Sequence, residues 1–182
     1  MSSSRRNSPA PVINEVGTLR LVADAALADV PRPDVIVVPG GPGQNAHMAD
    51  GPVQQWLRTV DAHSTWTASV CTGSLLLAAA GLLTGRRATT HWLRHDDLAP
   101  LGVVPVNDRV VFDDKYVTSA GVSAGLDMAF ALAGRIGGDT VAQAIQLAHE
   151  YDPQPPYHAG DPAKAPRAIT EAVLARRSSI IF

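Results

Sequence analysis

Two short predicted strands of this chain each close on a turn of small residues. Asp34-Val35-Ile36-Val37-Val38 closes on Pro39-Gly40-Gly41-Pro42-Gly43, and Trp66 to Val70 closes on Cys71-Thr72-Gly73-Ser74 before the apolar run Leu75 to Ala80. A strand without a polar face belongs where both faces are covered, which predicts Val35 to Val38 in the middle of a parallel sheet. Parallel neighbours need helical crossovers, so the pattern commits the chain to an α/β layer architecture.

The remaining sequence fits around that frame. Leu19 to Val22 reads as a short strand, and Asp50-Gly51-Pro52 opens a helix whose Val53, Trp56, Leu57 and Val60 recur at helical spacing. Arg87 to Thr90 reads as a strand leading to His91, followed by a helical turn over Trp92 to Leu98. Val103 to Val106, Val110 to Phe112 and Tyr116 to Ser119 read as strands, the last two joined by an Asp113-Asp114 turn. An Ala-rich helix from Ala124 to Ile136 is predicted to set Leu126, Phe130 and Ala133 on one side. Asp139 is the expected N-cap of a second helix running to about Tyr151. Residues 152–166 hold five prolines and predict an extended loop before a last helix over Ala168 to Ala175. Residues 1–15 are expected to be a disordered tail and 16–182 a single domain, a size suited to one core in 182 residues.

Charged residues are 18% of the chain against roughly 25% in an average globular protein, while apolar residues are 46%, which argues for a well-buried interior. A net charge of -2 with scattered Lys and Arg gives no electrostatic footprint for nucleic acid. No run approaches the roughly 18 apolar residues of a membrane span, and one cysteine forms no internal disulfide, so a cytoplasmic protein is expected.

That cysteine, Cys71, is the sharpest chemical signal. A turn at the end of a buried strand pushes its side chain over the sheet edge, and the first amides of the next helix favour an anion there, predicting a depressed thiol pKa. A plain packing role for a small apolar cysteine is the alternative. Gly40 and Gly41 end the other strand at the same edge, so the Gly41 amide and those of Thr72 or Gly73 could converge on a developing negative charge. A simple turn accounts for the two glycines equally well. Of six histidines only His91 follows a predicted strand, and it either orients or deprotonates the thiol or packs in the core. His91 and His95 lie at helical spacing without a third ligand, so neither metal nor cofactor is expected. Ser119-Ala120-Gly121-Val122-Ser123-Ala124-Gly125 is a third turn of small residues, where Gly121 and Val122 would let a substrate approach the backbone.

Taken together, Val38-Pro39-Gly40-Gly41, Ser69-Val70-Cys71-Thr72-Gly73-Ser74, Ala88-Thr89-Thr90-His91-Trp92 and Ala120-Gly121-Val122-Ser123-Ala124-Gly125-Leu126-Asp127 resemble the DJ-1/PfpI superfamily. The proline-rich segment Glu150 to Pro162 brings the resemblance closest to isocyanide hydratases. The resemblance implies a three-layer, flavodoxin-like sandwich of the class I glutamine amidotransferase type, with a mostly parallel central sheet. It also implies a homodimer, a small electrophilic substrate and a nucleophilic Cys71. In the hydratases the cysteine attacks the isocyanide carbon, and water hydrolyses the resulting thioimidate to an N-substituted formamide. Catalytic roles then fall on Cys71, Thr72 and His91, with Gly40, Gly41, Gly73, Gly121 and Val122 around substrate or charge. Other readings within the resemblance are a glyoxalase or deglycase acting on reactive aldehydes and an impaired ligand- or redox-sensing member. The family pattern also opens with a strand and an acid-bearing loop that do not precede Gly17, so an incomplete start is expected, with Glu15 not taken as that acid. A further departure is Ala120, where the hydratases commonly carry Gly.

Overall fold

The computed structural model describes residues 11–14 and 17–177, so Glu15 and residues 1–10 of the expected tail lie outside the described residues. The elements run β1 (Val12–Ile13), β2 (Arg20–Leu21), β3 (Val35–Val38), α1 (Pro52–Asp61), β4 (Trp66–Val70), α2 (Gly73–Ala79), β5 (Arg87–Ala88), β6 (Val104–Pro105), β7 (Val110–Asp113) and β8 (Tyr116–Ser119). Three helices follow: α3 (Ala124–Gly137), α4 (Asp139–Ala148) and α5 (Arg167–Ala175).

The main sheet has the order β3-β4-β8-β7, with β3, β4 and β8 parallel and β7 returning antiparallel. Register sets Val38 beside Ser69 and Val70 beside Ser119, so the carboxyl ends of all three parallel strands finish level. Ile36 and Val38 point into one core with Leu57 and Val60 of α1 and Leu75 and Leu77 of α2. Ala68 and Val117 point the other way, under Met128 and Leu132 of α3. Helices therefore cover both faces of the sheet, as the alternation of strands and helices predicts. Each fully buried leucine such as Leu75 or Leu77 is worth roughly 1.5–3 kcal/mol of transfer free energy. Among the described residues no helix is long and apolar enough to cross a membrane.

Several expectations are corrected. Within the described residues β3 is an edge strand, not a central one, and Val35 and Val37 are 39% and 54% exposed on the face toward α3. An all-apolar strand is compatible with one covered and one bare face, which composition alone does not distinguish. Val12–Ile13, assigned to the tail, instead pairs antiparallel with Arg20–Leu21 in a small exposed hairpin, and this is all that remains of the strand expected over Leu19 to Val22. The strand at Arg87 stops at Ala88 and pairs with β6 outside the main sheet. On α3 the buried face is Ala124, Met128 and Leu132, while Leu126 is 52% exposed. The Ala-rich helix is apolar around much of its circumference, and its contact with Ala68 and Val117 decides the face. Gly138, at φ 85°, holds the N-cap position expected of Asp139, and α4 ends at Ala148.

Candidate active site

At the level sheet edge β4 turns into α2 through Cys71, which sits at φ 57°, in the left-handed region. Such a backbone costs a residue with a Cβ about 1–2 kcal/mol and persists only where its neighbours fix it. Here they do. The Cys71 N–H donates to the carbonyls of Ser119 at 3.1 Å and Ala120 at 3.0 Å. Its own carbonyl accepts from Thr90 Oγ1 at 3.0 Å and Ser74 Oγ at 3.3 Å.

Two glycines make the close packing possible. A Cβ on Gly73 would stand 2.2 Å from the Val38 carbonyl oxygen, and one on Gly40 would stand 2.7 Å from Thr72 N and 2.9 Å from Cys71 Cβ. The end of β3 and the start of α2 therefore touch backbone to backbone. That proximity corrects the expected role of Gly41: its N–H donates to Thr72 Oγ1 at 3.0 Å and does not face open space.

The Cys71 residue is only 3% exposed. Burial pushes the thiol pKa up, and hydrogen bonds from the Thr72 N–H, the Thr72 hydroxyl and the Val122 N–H offset this only in part. The expected depressed pKa is thus overturned: desolvation of the charged sulfur outweighs the donors gathered around it.

His91 caps the helical turn Trp92–Asp97, with Nδ1 accepting the Leu93 N–H at 3.2 Å, which places the proton of the neutral ring on Nε2. Burial pushes its pKa down, so the ring is neutral at pH 7. The ring lies against Gly121, where a Cβ would come within 2.9 Å of Cδ2. The adjacent Thr90 ties this segment to the Cys71 carbonyl.

The elbow therefore brings Cys71, Thr72, Gly40, Gly41, Gly73 and the Val122 amide into one cluster, with His91 and Gly121 forming its flank. Sequence reasoning missed Ser74, Thr90 and the Ser119 and Ala120 carbonyls as the groups that hold the elbow. The paired threonines before His91 were the one signal that pointed to them. It also missed Arg109, Asp127 and Tyr151, whose side chains are joined beside the Val122 loop.

Known proteins are similar to this chain in sequence and fold. The chain is 45% identical over 166 residues to an isonitrile hydratase of Pseudomonas putida, covering 91% of this chain and 72% of that protein. It is 33% identical over 113 residues to a glutathione-independent glyoxalase of Caenorhabditis elegans, 60% of each chain. The crystal structure of a ThiJ/PfpI family protein from Pseudomonas syringae superposes with a TM-score of 0.88 at 37% identity, covering 93% of this chain and 71% of that one. The flavodoxin-like sandwich, the elbow at its sheet edge and a family match spanning residues 6–135 lead to one conclusion: the chain belongs to the DJ-1/PfpI family.

Proposed function

We propose that the chain is an isocyanide hydratase-like lyase in which Cys71 is the nucleophile. The observation that carries the reading is the strained elbow itself, a cysteine held at φ 57° with two amides and a hydroxyl directed at its sulfur. The similarity to the Pseudomonas putida isonitrile hydratase supports isocyanides as the substrate class.

Sulfur forms a bond to the terminal isocyanide carbon, and the thiol proton moves to that carbon, giving an N-substituted thioimidate. The raised thiol pKa suits this step, because the proton the carbon requires resides on sulfur at neutral pH. As that proton leaves, the Thr72 and Val122 donors stabilise the negative charge on sulfur. The Gly41 N–H acts at one remove, by fixing the Thr72 hydroxyl that faces the thiol. Water then adds across the C=N bond, its oxygen bonding to the thioimidate carbon and one of its protons passing to nitrogen; the C–S bond breaks as the carbonyl forms, the second proton returns to sulfur, and the N-substituted formamide leaves. His91, whose ring flanks the elbow against Gly121, is proposed to orient that water.

The 33% identity to a glyoxalase favours a second reading, in which the Cys71 sulfur adds to the carbonyl carbon of a reactive aldehyde. The homodimer is carried as part of the proposal and is checked by the molar mass in solution.

The test is hydration of a simple alkyl or aryl isocyanide, followed by ultraviolet absorbance of the formamide, with the native chain and Cys71→Ala. Turnover in the native chain that falls at least about 1,000-fold in the variant is the expected result, since removing a nucleophile removes the covalent path. No isocyanide turnover, with Cys71-dependent consumption of a 2-oxoaldehyde, moves the assignment to the second reading.

A further inference from the structure

The turn 120–123, outside any helix or strand, meets Cys71 directly: its Ala120 carbonyl accepts the Cys71 N–H at 3.0 Å, and its Val122 N–H is directed at the sulfur. Its position depends on what grips the turn at either end. Before Val122, the Ala120 N–H donates to the Arg109 carbonyl at 3.0 Å. After it, Arg109 Nη2 donates to Ser123 Oγ at 3.2 Å, and Arg109 Nε donates to Asp127 Oδ2 in the first turn of α3. One residue therefore holds the turn on both sides of Val122, by its carbonyl and by its guanidinium.

The grip is braced from a third direction. Asp127 Oδ1 accepts from Tyr151 Oη at 2.7 Å, and the Tyr151 ring packs on Phe130 of α3 with centroids 5.0 Å apart. Asp127 thus divides its two oxygens between Arg109 and the residue where the chain leaves α4. An isolated exposed ion pair adds little stability, yet this one sits where a shift of the turn carries an amide beside Cys71 with it.

We propose that Arg109 is a positioning residue for Cys71, its guanidinium fixed by Asp127 and Tyr151 so that the Val122 N–H stays on the sulfur. The inference rests on the reading of Cys71 as the nucleophile, and not on the identity of the substrate. Its consequence is electrostatic: an amide donating to sulfur favours the thiolate, so a loosened turn raises the pH at which the thiol ionises. Of the charged and titratable groups on the surrounding elements, Arg109 and Asp127 are paired with each other, and His91 is held neutral by burial.

The chain has one cysteine, so alkylation by iodoacetamide reads Cys71 alone. Its rate is measured against pH for the native chain, Arg109→Gln, Arg109→Lys, Tyr151→Phe and the control Arg58→Gln, which breaks the pair between Arg58 of α1 and Asp50 before that helix. Arg109→Gln is expected to move the inflection up by about 0.5 pH unit or more, roughly a threefold loss of thiolate below it. Arg109→Lys keeps the charge and part of the bonding and moves it less; Tyr151→Phe moves it in the same direction, and Arg58→Gln leaves it in place. An unmoved inflection in both Arg109→Gln and Tyr151→Phe overturns the proposal, as does an equal shift in Arg58→Gln. A lower melting temperature with an unmoved profile assigns the cluster to stability alone and overturns it as well. Should Arg109→Gln not fold, Arg109→Lys and Tyr151→Phe decide the question. Isocyanide turnover does not enter the readout, so failure of the hydratase reading and failure of this one are distinguished.

Discussion

At Cys71 the left-handed backbone is costly because a Cβ there crowds the following carbonyl, and glycine escapes the cost. Cys71→Gly and Cys71→Ala both remove the sulfur, but only glycine relieves the backbone. Cys71→Gly is therefore expected to be the more stable of the two by about 1 kcal/mol in urea unfolding, although both lose the nucleophile. The position of this residue was legible, because a turn of small residues between a buried strand and a buried helix sets its first side chain at the sheet edge. Its ionisation was not. Donors can be read from a turn sequence, but the desolvation that outweighs them comes from chain segments far away in sequence, including the ends of β3 and β8, which pack against Cys71 at Gly40 and the Ser119 carbonyl.

Helix α1 is tied to the sheet by one buried carboxylate at the end opposite the elbow. Asp61 accepts from Thr67 Oγ1 at 2.6 Å and Tyr116 Oη at 2.8 Å and pairs with Lys115 at 3.1 Å, joining α1 to β4 and β8. Burial first, and then the hydrogen bond and negative charge of Asp61, push Tyr116 from 10.0 up to about 12. The native state thus keeps a proton that the unfolded chain releases, so this contribution to stability is full below pH 10 and is lost as pH rises toward 12. Tyr116→Phe is expected to flatten that part of the curve of unfolding free energy against pH, and to cost about 1 kcal/mol at pH 7 for the lost hydrogen bond. The helices α1 and α2 were legible from spacing, because Leu57, Val60 and the leucines of α2 leave a single apolar stripe or none to choose. For α3 the choice of face was open, since Leu126, Met128, Phe130 and Leu132 sit on several sides of one helix. Only the strands beneath it select among them.

Among the described residues the main sheet ends in β7 on one side and in β3 on the other. The hairpin of β7 and β8 reverses the chain at one edge, while β3 leaves a row of backbone groups and two valines outward. Bare apolar edges invite self-association, and a lysine there opposes it. Val37→Lys is expected to change unfolding free energy by no more than about 0.5 kcal/mol, as an exposed position should, and to lower light scattering on concentration. A loss above about 2 kcal/mol would show instead that Val37 is covered in solution. Whether β3 was central or at an edge was not legible, because Val-Ile-Val-Val carries the same letters in both places.

The level finish of the strands gives that bare edge a geometric reach beyond stability. Any strand laid parallel beside Val35–Val38 in matching register would run out next to Gly40, whose absent side chain already brings it against Thr72 and Cys71. Whatever is grafted there to tidy the surface would deliver its own trailing loop to the doorway of the nucleophile, so shielding the edge and rebuilding the catalytic neighbourhood are one engineering operation.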